Sequence, residues 1–162
     1  SVTALRRTLA RVGAAMDRDE DVLFLFLTSH GSEQHELSLD FWPMRFDKLG
    51  PQELKVALDE SGIRWRVIVV SACYSGGFVP VLADDHTIVI TAASADRQSF
   101  GCSNTADFTY FGRAYFDQAL RETRSFTAAF ERARELVAQR EQAEKVSPPS
   151  LPQMQVGTAI RA

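Results

Sequence analysis

Three short apolar runs without internal alternation constrain this chain most. They are Val22 to Leu27, Arg66 to Val70 with its single arginine at the start, and Thr87 to Ile90. A strand with one wet face alternates apolar and polar residues, whereas a continuous run of four to eight fits a strand covered on both sides. Amphipathic segments separate the runs. Residues 3–16 carry Leu5, Leu9, Val12 and Met16 on one helical face, with Arg6, Arg7 and Arg11 towards water. Pro51 opens a second helix, Leu54, Ala57 and Leu58 form its apolar side, and Gly62 offers a left-handed cap. Residues 110–122 and 126–145 show helical periodicity again, and 154–160 allow a last strand. The expected fold is α/β: a three-layer sandwich with a mostly parallel sheet and helices on both faces. On this reading all three apolar strands, Val22 to Leu27 included, are buried on both faces.

The intervening stretches carry less. Leu37 and Leu39 alternate with Ser38 and Asp40, a pattern for a short strand or hairpin. Residues 94–108 are polar and irregular. Asp17 to Asp21 reads as a solvated turn, and Glu131, Arg132, Arg134 and Glu135 as the wet face of the last helix.

The chain has 162 residues and fits one domain, 1–162. It begins with Ser1 inside a helical pattern, so it reads as a piece excised from a longer protein. Eighteen basic against 21 acidic residues give a net charge of −3, which provides no basic excess for a nucleic-acid partner. The longest apolar run is far below the roughly 20 residues of a membrane helix. A membrane tether would have to come from parts outside the chain. Cys73 and Cys102 allow one bridge at most and settle no compartment.

In an open parallel sheet, sites gather beyond the carboxyl ends of the strands. The three runs end in Ser29-His30-Gly31, Ser71-Ala72-Cys73 and Thr91-Ala92-Ala93. Parallel strands bring these tips to one edge and so bring His30 and Cys73 together. A thiolate attacks carbonyls, and an adjacent imidazole takes its proton and returns one to the leaving amine. Gly31, Gly76 and Gly77 allow tight turns with exposed backbone N–H groups, as an oxyanion requires. Singly, such a cysteine is more often a packed small hydrophobe and such a histidine a hydrogen-bonded structural residue. Their joint occurrence at matched strand ends favours chemistry. Ser75 lacks a G-x-S-x-G elbow and reads as a turn residue. His35 and His86 have no partner at metal-ligand spacing and read as surface histidines; no metal or organic cofactor is expected. Asp96, Arg97 and Asn104 lie in a loop that either lines a pocket or is merely solvated.

An apolar block ending in His-Gly, followed by one ending in Ala-Cys, resembles the caspase-like cysteine peptidases. Within that group the chain is most similar to the legumain family, which includes the GPI-anchor transamidase subunit, and to its bacterial members in particular. The residues that carry the likeness are Thr28 to Ser32, Ser71 to Gly76, Thr91 to Ala93, Ser99 to Cys102 and Thr109 to Gly112. The resemblance implies a caspase-like (caspase-hemoglobinase) fold lacking its first strand here. It implies a cysteine endopeptidase acting on peptides or proteins. His30 would be general base and acid, Cys73 the nucleophile, and the N–H groups of Gly31 and Cys73 the oxyanion hole. Ser71, Ser94 and Asn104 would meet the substrate side chain, with cleavage after Asn or Asp. Two positions depart from the family pattern: Ser71 stands where legumains carry an acid, and Asn104 where a second acid is expected. Two alternatives share these residues: a catalytically silent interaction module, and a transamidase that passes the acyl group to another amine.

Overall fold

The computed structural model describes residues 1–39, 47–101 and 108–160. Among these residues, six strands and a set of helices form in chain order. Helix α1 (Val2–Ala15) leads into β1 (Val22–Thr28), β2 (Leu37–Leu39) and β3 (Asp47–Leu49). Helix α2 (Pro51–Glu60), β4 (Trp65–Ser71), a 3-10 turn (Ser75–Phe78), α3 (Val79–Leu82) and β5 (Thr87–Thr91) follow. The chain then forms α4 (Tyr110–Gly112), a π-helical segment (Arg113–Ala119), α5 (Leu120–Glu122), α6 (Phe126–Ala143) and β6 (Gln153–Val156).

The main sheet has the order β1-β4-β5-β6. β1, β4 and β5 are parallel, and β6 runs antiparallel to β5. This is the expected three-layer α/β sandwich. Alternate residues of the central strands β4 and β5 feed two cores. Val67, Val69, Ile88 and Ile90 pack against Tyr115, Phe130, Ala133 and Val137 of the C-terminal helices. Ile68, Val70 and Val89 pack against Leu9, Leu54, Ala57 and Leu58 of α1 and α2. A fully buried aliphatic side chain contributes about 1.5–3 kcal/mol. An exposed ion pair such as Arg6–Glu60 contributes about 0–1 kcal/mol. The two cores therefore hold the strand tips in place, and the surface charges do not.

Helix starts follow their signals. Ser1 caps α1 by accepting from the Ala4 N–H, Ser125 caps α6 by accepting from the Ala128 N–H, and Pro51 begins α2. Gly62 takes φ of 71°, the left-handed conformation expected at the end of α2. The alternating Leu37 and Leu39 form the hairpin arm β2, paired antiparallel with β3. The helical pattern over 110–122 is right in kind but hides its π-helical middle. Apolar periodicity cannot distinguish an i→i+5 segment from α-helix over two turns.

One expectation is corrected. β1 is not buried on both faces. It lies at the end of the sheet order, and Val22, Phe24 and Phe26 are 52%, 37% and 39% exposed on one face. Phe116 and Phe126 cover that face only in part, through ring contacts to Phe24 and Phe26. The other face, with Leu23, Leu25 and Leu27, packs into the core. Among the described residues, the outer edge of β1 has no strand partner. Unpaired edges template pairing with another chain. This 162-residue chain is accordingly expected to self-associate, with a sedimentation coefficient that rises across the micromolar range. A concentration-independent monomer would contradict that expectation.

Candidate active site

The pairing of β1 with β4 sets the site. Thr28 lies opposite Ser71, so His30 and Cys73 each stand two residues beyond a matched pair. The Ser29 N–H still donates to the Ser71 carbonyl at 3.4 Å, which carries the register one step past the strand. Gly31 then packs directly on the backbone of Cys73. A Cβ at Gly31 would overlap the Cys73 carbonyl oxygen and lie 3.3 Å from the Ala72 methyl. Only glycine allows this approach. The His30 loop is further fixed by a turn: the Ser38 N–H donates to the His30 carbonyl at 2.9 Å, and the Ser32 N–H to the Glu36 carbonyl at 3.1 Å.

Those two bonds flank Gly31 and leave its own N–H unused. Neither the Gly31 N–H nor the Cys73 N–H donates to an acceptor among the described residues. Two backbone donors without a partner among the described residues thus lie at the sheet edge that carries the half-buried Cys73. His30 is exposed.

Cys73 carries a free thiol. The backbone of Ser99 brackets its sulfur. The Ser99 N–H donates to Sγ at 3.3 Å, and the Ser99 carbonyl accepts from the thiol at 3.4 Å. Tyr74 follows in the left-handed region, with φ of 57°. Its N–H donates to the Arg97 carbonyl at 2.7 Å. Ser75, expected as a turn residue, is fully buried and accepts the Ala93 N–H at 3.2 Å, which ties the turn to the tip of β5.

Ser94 sits against the same turn, because a Cβ at Gly76 would meet the Ser94 backbone. The Ser94 hydroxyl donates to Asp96 at 2.7 Å. That bond, aided by Arg97 and opposed by desolvation, holds the Asp96 carboxyl below the usual range. Ser71 is buried, with its hydroxyl 3.3 Å from that of Thr109. Asn104 and Cys102 lie outside the described residues.

Some supporting residues escaped the sequence reading. Glu141 looks like one more polar position of α6, yet it is only 3% exposed. Both its oxygens accept the Ser150 N–H, at 3.1 and 3.2 Å, and the Ser150 carbonyl accepts the Ser94 N–H at 2.9 Å. A carboxyl group buried in α6 thereby anchors the Ser94 loop, and its one signal in the sequence is its position four residues after Val137 on the apolar face of the helix. His35 is not the surface histidine expected. It is half-buried, and Nδ1 lies 2.9 Å from the Tyr74 carbonyl. His86 is also partly buried, its ring edge-on to Trp65 at 5.0 Å. Among the described residues, no group of three or more His, Cys, Asp or Glu side chains could hold a metal, and no helix is long and apolar enough to cross a membrane.

A mostly parallel sheet between two helical layers, with the His-Gly and Ala-Cys tips side by side, defines a caspase-like protein. The fold is similar to that of caspase-1 from Spodoptera frugiperda, with a TM-score of 0.66. The match covers 95% of this chain and 67% of that one at 17% identity. No curated protein matches the sequence significantly. The model of the Peptidase C13 family matches residues 7–161, and the chain belongs to that family, the legumain family. It is a cysteine-type peptidase, a hydrolase, and its family implies peptide or protein substrates.

Proposed function

We propose that this chain is an endopeptidase that cleaves through a Cys73–His30 dyad, with the N–H groups of Gly31 and Cys73 as the oxyanion hole. The observation that carries this reading is the shared offset of His30 and Cys73 beyond the pair Thr28–Ser71, with Gly31 packed on the Cys73 carbonyl. The thiol proton passes to His30, and the sulfur attacks the scissile carbonyl carbon. The carbonyl oxygen gains the charge and receives the two N–H donors. On collapse, the C–N bond breaks and imidazolium protonates the leaving amine, giving a thioester on Cys73. His30 then takes a proton from water, which attacks the thioester, and the returned proton restores the thiol. An amine in place of water would give a new amide, so the same residues support transamidation. A silent interaction module would keep the geometry and catalyse neither reaction.

Ser71, Ser94 and Asn104 are the groups assigned to recognising the substrate side chain, and all three are neutral. A buried set of hydrogen-bonding groups rejects side chains that leave them unpaired. Cleavage is expected after Asn or Asp because the family resemblance implies it; the neutral Ser71 and Asn104, where legumains carry acids, do not themselves favour Asn. Digestion of a mixed peptide library, with the new termini read by mass spectrometry, tests this. A dominant basic or large aromatic residue before the scissile bond would overturn the specificity. Adding a nucleophilic amine separates hydrolysis from aminolysis.

A further inference from the structure

The geometry points to His35 as a positioning residue for the nucleophile, acting through the carbonyl of Tyr74. The inference rests on the Cys73–His30 reading and extends it to a residue outside the reacting atoms. Two adjacent loops each hold a non-glycine residue in the left-handed region: His35 at φ 62° and Tyr74 at φ 57°. Left-handed backbone is tolerated by His but is an outlier for a bulky Tyr, and it persists only where neighbours enforce it. Tyr74 is the residue directly after Cys73, so its conformation sets where the thiol points.

The His35 side chain supplies part of the enforcement, beside the Tyr74 N–H bond to the Arg97 carbonyl at 2.7 Å. A carbonyl oxygen can only accept, so the 2.9 Å contact to Tyr74 makes Nδ1 the donor. The same carbonyl accepts the Gly77 N–H at 3.3 Å, closing the 3-10 turn that begins at Ser75. The ring lies where a Cβ on Gly77 would be, so Gly77 is small to admit the imidazole. The His35 backbone is itself fixed, its N–H donating to the Ser32 carbonyl at 2.9 Å. The loop that carries His30 thus reaches across, through His35, and clamps the loop that carries Cys73. With Gly31 on the Cys73 carbonyl, this gives two ties, among the described residues, between the loops that lie beyond the Ser29–Ser71 hydrogen bond. One is a backbone contact and the other a side-chain hydrogen bond. Without the second, Tyr74 can relax from φ 57° and carry Sγ away from His30.

The test uses a series at position 35 in the full chain. His35→Ala removes the donor. His35→Asn keeps an N–H where Nδ1 stands and tolerates positive φ. His35→Asp has the same shape without the donor. Cleavage of a fluorogenic peptide amide with Asn before the scissile bond is read as kcat and KM. Alkylation of Cys73 by iodoacetamide is followed in parallel by mass spectrometry. We expect His35→Ala and His35→Asp to lose about 100-fold in kcat with KM little changed, and His35→Asn to recover to within about tenfold of the parent. Cys73 alkylation is expected to fall in the same order. Should His35→Ala fail to fold, the Asn and Asp variants decide the matter. Equal kcat and equal alkylation in those two would overturn the positioning role. Failure of the underlying dyad looks different: His30→Ala would then leave Cys73 alkylation and cleavage at the parent level.

Discussion

Cys73→Ala is expected to abolish peptide-bond hydrolysis, and His30→Ala to lower kcat/KM by about 10²–10⁴-fold, each without loss of fold. Removal of the activated nucleophile of a serine peptidase costs on the order of 10⁶ in kcat. Cys73 is half-buried, and among the described residues its sulfur makes two weak hydrogen bonds, both to the Ser99 backbone. Its truncation to Ala should therefore cost about 1 kcal/mol or less of stability. His30 is exposed, and no side-chain hydrogen bond tethers it among the described residues. Thermal denaturation of both variants should thus lie close to the parent. Activity is read on peptide substrate, with circular dichroism on the same samples. Parent-level cleavage by Cys73→Ala would mean that another group does the chemistry. A large drop in melting temperature would mean that the loss of activity reports unfolding.

The second large effect is expected at Gly31. Alanine there would place Cβ on the Cys73 carbonyl oxygen, and backbone cannot yield as a flexible side chain does. The His30 loop must lift from β4, carrying away both the imidazole and the Gly31 N–H donor. Loss of one oxyanion donor alone costs about 10²–10³ in kcat. Gly31→Ala should lose at least that much, together with about 1–3 kcal/mol of stability from the overlap. Gly62→Ala is the matched control. Gly62 sits at the opposite end of β4 with open space around it and φ of 71°. It should lose about 1 kcal/mol of stability through backbone strain and keep full kcat. Equal kcat in the Gly31 and Gly62 variants would remove Gly31 from the catalytic arrangement.

The sheet and the joint placement of His30 and Cys73 were legible because both rest on strand register. Apolar runs without alternation give parallel strands, parallel strands put their tips on one edge, and Thr28 opposite Ser71 does the rest. The number of neighbours a strand has is not written in the same pattern. Val22 to Leu27 is as apolar as the central run in β4, yet β1 ends the sheet and shows Phe24 and Phe26 to solvent. The supporting contacts were illegible for a different reason. His35 meets Tyr74 across 39 positions, and Glu141 reaches Ser94 only through Ser150. His35 has no periodicity to mark it, whereas Glu141 stands four residues after Val137 on the apolar face of α6, a carboxyl on a buried stripe that hints at burial but not at its partner. The π-helical segment Arg113–Ala119 is hidden because it keeps the apolar face of an α-helix.

Site-resolved alkylation tests the central claim, that Cys73 is a nucleophile served by His30. The thiolate is the reactive form, so rate at a given site reports activation and access together. With limiting iodoacetamide near neutral pH and the label mapped by mass spectrometry, Cys73 is predicted to react well before Cys102, and His30→Ala to slow the reaction at Cys73 alone. Equal labelling of the two cysteines, unchanged by His30→Ala, would contradict the account.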